Sequence, residues 1–178
     1  MINITLPMTE KQLSELKPGD SVLLSGTIYT ARDAAHARLC ALLDKGEELP
    51  FDIKDAVIYY AGPCPAKPGQ VINSCGPTTS GRMDAYAPKL YAAGAQGAIG
   101  KGVIGDGVKE AMAKHGGVYF LAVGGAGALI SHCVTSAEVV AFEELGAEAI
   151  RRLTIKDLPV IVGVDSRGDD IYKLRNEI

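Results

Sequence analysis

Short runs of apolar and β-branched residues recur along the chain between polar and glycine-rich stretches, and they predict strands. The predicted strands are residues 2–6, 21–29, 56–61, 71–74, 97–100, 118–123, 137–141 and 158–165. A polar turn ending at Lys17-Pro18-Gly19-Asp20 separates the first two. The proline-rich segment 62–69 is predicted to be a rigid connector or lid, because proline cannot donate to a strand ladder.

Apolar residues at helical spacing predict helices between these strands. The predicted helices are residues 31–45, 82–93, 107–115 and a last one that the glycine run 124–127 opens and that ends near His132. The apolar face of the first consists of Ala35, Leu39, Leu42 and Leu43. Thr30 and Asp33 have the spacing of a capping box at its start, and Pro88 is expected to kink or shorten the second helix.

Strands that alternate with helices indicate an α/β fold, in which the early strands could form a separate barrel-like layer. A length of 178 residues with 47% hydrophobic and 22% charged residues predicts one domain over residues 1–178. The net charge of −3 argues against nucleic acid or an anionic membrane as a partner. No apolar run approaches the roughly 20 residues of a membrane span, and the first residues lack signal-peptide features, so we expect a cytoplasmic protein.

The four cysteines are widely scattered, and no two of them form a C-x-x-C pair. They are Cys40, Cys64, Cys75 and Cys133. This spacing argues against a zinc or iron–sulfur site built wholly within the chain and predicts free thiols in a reducing compartment.

Two loops carry the candidate chemistry, and each places an arginine in the first turn of a predicted helix. The first anion loop is residues 26–36, with Arg32 and His36, and the second anion loop is residues 76–84, with Arg82. An arginine there is unfavourable beside the positive end of the helix dipole until an anion arrives to share the guanidinium and the free amides. Two such loops suggest a ligand with two negative ends, such as a dicarboxylate.

The second anion loop adds three hydroxyl groups, on Thr78, Thr79 and Ser80, which suit a carboxylate or a phosphate. Lys101 lies between two glycines and could be a third anion contact. The alternative is ordinary capping by the hydroxyl groups, solvated arginines and a structural His36. The chain lacks a P-loop, a complete dinucleotide-binding fingerprint, a nucleophile elbow and an H-E-x-x-H motif. Anion contacts without catalytic machinery indicate one part of a composite site.

Four segments resemble, in the same order, the β subunit or C-terminal domain of the iron–sulfur hydro-lyases, the class I fumarases and L(+)-tartrate dehydratases. These segments are Gly26-Thr27-Ile28-Tyr29-Thr30-Ala31-Arg32-Asp33-Ala34-Ala35-His36, Tyr60-Ala61-Gly62-Pro63, Gly76-Pro77-Thr78-Thr79-Ser80-Gly81-Arg82-Met83 and Ile99-Gly100-Lys101-Gly102. The resemblance implies a swivelling β/β/α domain. It also implies that a partner α subunit holds a four-iron four-sulfur cluster, in a heterotetramer of two α and two β subunits.

The resemblance further implies a role for each candidate residue. Arg32, Arg82 and Lys101 would bind the substrate carboxylates, and Thr78 stands where the family's proposed base takes the C3 proton. The remaining candidates would support these residues without binding substrate; they are His36, Thr79 and Ser80.

The activity implied first is reversible hydration of fumarate to L-malate, as in the tricarboxylic acid cycle. Dehydration of L(+)-tartrate to oxaloacetate is the closest alternative, and related dicarboxylates such as mesaconate stay open. A non-catalytic module that binds a dicarboxylate or a phosphorylated metabolite, and an iron-binding enzyme that acts alone, are the alternatives of other classes.

Overall fold

The computed structural model describes residues 1–123 and 125–174, and one seven-stranded sheet organises them. The strands are β1 (Ile2–Thr5), β2 (Ser21–Thr30), β3 (Val57–Tyr59), β4 (Gly97–Gly100), β5 (Val118–Leu121), β6 (Val134–Ala141) and β7 (Ile150–Val164). The α-helices are α1 (Glu10–Glu15), α2 (Asp33–Asp44), α3 (Ala87–Ala92), α4 (Asp106–His115), α5 (Gly127–His132) and α6 (Ile171–Leu174). Two 3₁₀ helices are also present, at Ser80–Met83 and Glu143–Glu148.

Five of the strands close into a barrel. The sheet order is β1-β2-β3-β4-β5-β7-β6, and an additional pairing between β2 and β7 joins the two sides. Strands β2, β3, β4 and β5 run parallel to one another, whereas β7 runs antiparallel to both β5 and β2. The fifteen-residue length of β7 allows it to pair with β2 over most of its length and with β5 at its end.

Alternating side chains of the barrel strands enter two separate cores, as the two-residue period of a strand requires. Val57 and Tyr59 of β3 belong to the core inside the barrel, together with Phe120 of β5. Ile58 and Tyr119 belong to a second core, between the barrel and the helices α2, α3 and α4. This arrangement confirms the predicted α/β class with a barrel-like layer.

The strand β7 completes the barrel layer to which the early strand β2 belongs. Residues 158–165 were predicted as a strand, but the strand begins at Ile150 and completes the barrel against β2. The pairing of Thr30 with Arg151 joins residues that are far apart in sequence. Local apolar patterning does not report such a pairing.

Residues 71–74 do not form the predicted strand. Asn73 instead accepts a hydrogen bond from the amide of Ser74 through Oδ1 at 2.8 Å, and the Ser74 carbonyl accepts one from the amide of Cys64 at 2.9 Å. The segment packs against the proline-rich connector, where a regular ladder cannot form because the prolines have no amide proton.

The predicted helix over residues 82–93 is divided into two. A 3₁₀ helix covers Ser80–Met83, and α3 begins only at Ala87. Pro88 lies in the first turn of α3, where its missing amide proton removes no intrahelical hydrogen bond. The helix begins just before Pro88, because a proline is tolerated only in the first turn. The expected shortening at Pro88 is confirmed.

Two helices, α1 and α6, were not predicted from the sequence. The helix α1 begins with a capping box in which the Gln12 amide donates to Thr9 Oγ1 at 3.2 Å and the Thr9 amide donates to Gln12 Oε1 at 2.9 Å. This helix lies in the stretch predicted as a polar turn, and α6 was not predicted either.

Gly124, part of the glycine run predicted to open α5, lies outside the described residues. Across the described ranges, none of the helices combines the length and hydropathy needed to cross a bilayer.

Candidate functional site

The carboxyl ends of three parallel strands bring the predicted residues to one edge of the barrel. Arg32 follows β2 by two residues, Gly62 follows β3 by three, and Lys101 directly follows β4. Because parallel strands end at the same edge of a sheet, residues far apart in sequence meet there. Open α/β sheets and parallel barrels alike bind their ligands at the carboxyl ends of their strands.

Backbone hydrogen bonds attach the second anion loop to this edge. The Thr78 amide donates to the Tyr60 carbonyl at 2.6 Å, and the Ser80 amide donates to the Lys101 carbonyl at 3.0 Å. Thr79 and Lys101 also form an isolated parallel bridge. The structure therefore brings Thr79 and Ser80 to the backbone of Lys101, and Thr78 to the backbone of Tyr60.

Arg32 is the N-cap residue of α2, one position before the predicted first turn. Its side chain makes no capping hydrogen bond, so the first amides of this helix stay available to an anion. The guanidinium Nε lies 3.7 Å from Glu148 Oε1 and 4.0 Å from Asp33 Oδ1. The side chain passes over Gly62, where an added Cβ would lie 3.1 Å from Arg32 Cδ.

The predicted capping box of Thr30 and Asp33 is wrong. Thr30 is the last residue of β2 and is fully buried. Its Oγ1 donates to the Ala149 carbonyl at 3.4 Å and accepts from the Arg151 amide at 3.1 Å. The hydroxyl therefore joins β2 to β7 and cannot cap α2.

Arg82 lies in the short 3₁₀ helix, so the prediction that it occupies the first turn of a long helix is wrong. Its Nε donates to Asp33 Oδ2 at 2.8 Å, and its Nη2 lies 2.7 Å from the same oxygen as an ion pair. Asp33 thereby connects the two anion loops, because its other oxygen faces Arg32. Sequence analysis considered Asp33 only as a capping residue and missed this role.

His36 is fully buried one turn into α2, behind Arg32. Its Nδ1 lies 2.9 Å from the Arg32 carbonyl oxygen and donates to it, because a carbonyl can only accept. Burial lowers the pKa of His36 to about 4, so the imidazole is neutral at neutral pH. The ring packs edge-on against Tyr60, with the centroids 5.2 Å apart. These contacts agree with a supporting position rather than a direct one.

Four buried polar side-chain atoms have no hydrogen-bond partner among the described residues, and all lie in these two loops. They are Arg32 Nε, Asp33 Oδ1, His36 Nε2 and Asp84 Oδ1. Buried polar atoms in folded proteins almost always have a partner, from the protein or from water. Unsatisfied donors and acceptors concentrated in the two loops therefore indicate a place for a polar ligand and its ordered water.

Lys101 is half-buried, and no carboxylate lies within 4.0 Å of its ammonium group in the part of the chain that the structure describes. Arg32 and Arg82, in contrast, lie beside Asp33. Glu148, near Arg32, was also missed, since it lies in the distant 3₁₀ helix before β7. No local pattern could have assigned it to the site.

The described residues do not provide ligands for a metal cluster. Within residues 1–123 and 125–174, no group of three or more His, Cys, Asp or Glu side chains could hold a metal ion. The four cysteines are free thiols. Burial raises the pKa of Cys75 to about 12, so its thiol stays protonated and is a poor ligand at neutral pH.

Nearly the whole sequence matches a known protein family. Residues 1–175 match the family described as Fumarase C-terminus. The chain belongs to this family.

Similar proteins include both fused and separate members. The chain is 40% identical over 176 residues to the aerobic class I fumarate hydratase of Escherichia coli strain K12, covering 97% of this chain and 32% of that protein. It is 39% identical over 164 residues to fumarate hydratase 2 of Leishmania major, covering 91% of this chain and 29% of that protein. It is also 39% identical over 176 residues to the putative L(+)-tartrate dehydratase subunit beta of Methanocaldococcus jannaschii, covering 96% of this chain and 90% of that one.

The chain therefore spans about a third of the length of the fumarate hydratases that it matches. It corresponds to nearly all of the archaeal subunit. The same unit thus occurs both within a longer polypeptide and as a separate subunit.

Proposed function

We propose that this chain is the dicarboxylate-binding half of an iron–sulfur hydro-lyase that hydrates fumarate reversibly to L-malate. The observation that carries the proposal is the contact of Arg82 with Asp33, because it joins the two anion loops beside Arg32. Lys101 and Thr78 lie at the same edge of the barrel. The identity to class I fumarate hydratases supports fumarate as the substrate.

The charges suit a dicarboxylate. Arg32, Arg82 and Lys101 contribute three positive charges, and Asp33 and Glu148 offset part of them. Arg82 donates Nε to Asp33 and holds Nη2 beside the same oxygen, so Nη1 could donate to a substrate carboxylate. A substrate carboxylate could also displace Glu148 from Arg32, since the 3.7 Å separation is longer than a hydrogen bond.

Thr78 is proposed as the base. In the dehydration direction it would take the proton from C3 while the C2 hydroxyl leaves, and in hydration it would return that proton. A threonine hydroxyl is a weak base, so the role requires nearby cations that lower the cost of its deprotonated form. Lys101 is a candidate for such a cation, because its backbone forms a bridge with Thr79, the residue next to Thr78.

The remainder of the site is assigned to a partner α subunit. The relative named subunit beta supports a separate partner, and we propose two copies of each subunit in a cytoplasmic heterotetramer. The described residues do not fit a cluster, so the four-iron four-sulfur cluster is assigned to that partner. When bound there, the cluster would supply a Lewis acid for the C2 hydroxyl. This chain would bind and orient the carboxylates.

L(+)-tartrate is the second candidate substrate. The archaeal relative that carries this name is matched over 90% of its length and is a separate subunit. The two substrates share both carboxylates and differ at the carbon atoms between them. The anion loops of this chain would therefore accept either.

The test is an anaerobic assay of the assembled complex. This chain is purified together with the cluster-bearing subunit, iron is reconstituted, and fumarate and L(+)-tartrate are assayed separately, with each subunit alone as a control. We expect turnover only in the mixture, with the larger kcat/KM identifying the substrate. Thr78→Ala should lower kcat at least about tenfold with little change in KM, whereas Thr78→Ser keeps the hydroxyl and most of the activity.

Three outcomes would contradict parts of the proposal. An iron-loaded complex that turns over neither substrate overturns the hydro-lyase assignment, and the loops would then be pursued as a binding module. Wild-type kcat in Thr78→Ala excludes Thr78 as the base. Stoichiometric iron–sulfur absorbance in this chain alone would place the cluster here.

A further inference from the structure

The hydroxyl group of Tyr119 lies close to the backbone of Lys101. It contacts the next residue, Gly102, and the side chain of Ser80. Tyr119 is the second residue of β5 and is 1% exposed, in the core between the barrel and the helices. Its Oη lies 2.9 Å from the Gly102 carbonyl oxygen and 2.8 Å from Ser80 Oγ. A carbonyl can only accept, so Tyr119 donates its single proton to Gly102 and accepts from Ser80.

The Ser80 side chain occupies a space that exists only because residue 100 is glycine. A Cβ added at Gly100 would lie 1.9 Å from Ser80 Oγ and 3.0 Å from Tyr60 Cδ2. Ser80 is 1% exposed, and its amide donates to the Lys101 carbonyl at 3.0 Å. Gly100, Ser80 and Tyr119 therefore form one close-packed hydrogen-bonded unit around the backbone of Lys101.

The unit restrains Lys101 from both sides. Ser80 lies against Gly100, the residue before Lys101, and binds the carbonyl of Lys101 itself. Tyr119 binds the carbonyl of Gly102, the residue after it, where the backbone turns through a φ of +76°. A lysine side chain has four rotatable carbons, so its ammonium group is placed accurately only if its backbone is held.

We infer that Tyr119, acting through Ser80 and Gly102, is a positioning residue that aims Lys101 at the substrate. The inference rests on the proposed function, because it assigns Lys101 a substrate carboxylate. Tyr119 itself is buried in the core and does not contact substrate.

The tyrosine remains a donor under all working conditions. Burial raises the pKa of Tyr119 well above its ordinary value, and the bond from Ser80 offsets this only partly. The hydroxyl is therefore protonated at neutral pH and keeps its bond to Gly102.

Tyr119→Phe removes only the hydroxyl group. In the complex with the cluster-bearing subunit we expect kcat/KM to fall about tenfold, mainly through KM, because a buried hydrogen-bonded pair loses its partner and Lys101 loses its alignment. Ser80→Ala should have a similar effect. The double variant should be little worse than either single variant, because the two groups act as one unit.

Tyr91→Phe is the matched control. Tyr91 is 3% exposed in the same core. Its Oη donates at 3.3 Å to the carbonyl of Val118, the first residue of β5. Its loss should change kcat/KM less than about twofold. An equal loss in both variants would mean general destabilisation and would overturn the positioning role.

A double-mutant cycle with Lys101→Met separates positioning from structure. If Tyr119 acts through Lys101, Tyr119→Phe should change kcat/KM less than about twofold once the ammonium group is absent. A full tenfold loss in the Lys101→Met background would contradict the inference.

Hydrogen exchange of the full chain distinguishes this inference from the proposed function. The Ser80 amide, bound to the Lys101 carbonyl, should exchange at least about tenfold faster in Tyr119→Phe and at the wild-type rate in Tyr91→Phe. Unchanged exchange together with unchanged turnover overturns the positioning inference alone. Faster exchange in a complex that turns over no dicarboxylate overturns the proposed function, and with it the substrate role of Lys101, while the restraint by Tyr119 stands.

Discussion

At the scale of single residues, the site depends on side chains that each serve two partners. Asp33 binds Arg82 through Oδ2 and faces Arg32 through Oδ1. Tyr119 also serves two partners, because it donates to the Gly102 carbonyl and accepts from Ser80. Such shared groups couple neighbouring positions, so substitutions there are not expected to be additive.

Arg82→Lys tests whether the planar fork of Arg82 matters beyond its charge. A lysine has a single nitrogen, so it cannot replace both the Nε bond to Asp33 and a second donor to a carboxylate. We therefore expect kcat/KM to fall about tenfold, mainly through KM. Steady-state kinetics of the assembled complex measure this. Arg152→Lys is the matched control, since Arg152 is 51% exposed against 52% for Arg82 and pairs with Glu138 instead. Equal kinetics in the two variants would remove Arg82 from the substrate contacts.

His36 should make the stability of the fold depend on pH. Its folded pKa of about 4 lies below the ordinary value of 6.5, so the unfolded chain binds a proton between these pH values that the folded chain does not. The free energy of unfolding should therefore fall as pH drops from 6.5 towards 4, by about 3 kcal/mol at most.

Urea titrations at a series of pH values measure this dependence. His36→Gln should flatten the slope between pH 6.5 and 4. His132→Gln, at an exposed position of α5, should keep the wild-type slope. A wild-type slope in His36→Gln would show that other groups carry the dependence.

At the scale of elements, capping between neighbours holds the helices in place. Gly105 is the N-cap residue of α4, and it has no side chain that could accept a hydrogen bond from the first amides of the helix. Its own amide donates to Asp84 Oδ2 at 3.0 Å. The carboxylate therefore joins the segment after the 3₁₀ helix to the start of α4. A Cβ at residue 105 would lie 2.8 Å from the same oxygen, so glycine is required for this contact.

Asp84→Ala should lower the free energy of unfolding by about 1–2 kcal/mol, because α4 loses both an amide acceptor and a negative charge at its N-terminus. Urea denaturation of the full chain measures the change. Asp106→Ala removes an exposed carboxylate from the first turn of the same helix and should cost no more than about 0.5 kcal/mol. A larger loss in Asp106→Ala than in Asp84→Ala would contradict the cross-element cap.

Element prediction succeeded where the signal was local. The strands at Gly97–Gly100 and Val118–Leu121 and the helix at Asp106–His115 follow short apolar patterns closely. The helix α1 was missed although its capping box is also local, because its six residues bury only Leu13. The predicted strand at 71–74 does not form, because two apolar residues do not make a strand among prolines that cannot donate to a ladder.

At the scale of the whole molecule, β7 decides the architecture. It runs antiparallel to β2 and β5 and closes the parallel strands into a barrel. It also binds Thr30 at the end of β2, through the Arg151 amide, immediately before the first anion loop. The last long strand thus supports a site whose predicted residues come from the first 101 positions.

The sequence by itself determined which residue types the candidate site contains. Arg32, His36 and Arg82, the three hydroxyl groups of the second anion loop and Lys101 stand in short motifs, and glycines and prolines mark the turns between them. Local patterns carry this information, because residue type and near spacing determine caps, turns and the polarity of a loop.

Only the tertiary structure decided how these groups meet. The pairing of Arg82 with Asp33 spans 49 positions, and that of Ser80 with Tyr119 spans 39. Glu148 approaches Arg32 from a still more distant segment. Such contacts depend on strand register and barrel closure, which arise from burial summed over the whole chain and leave no mark in any one segment.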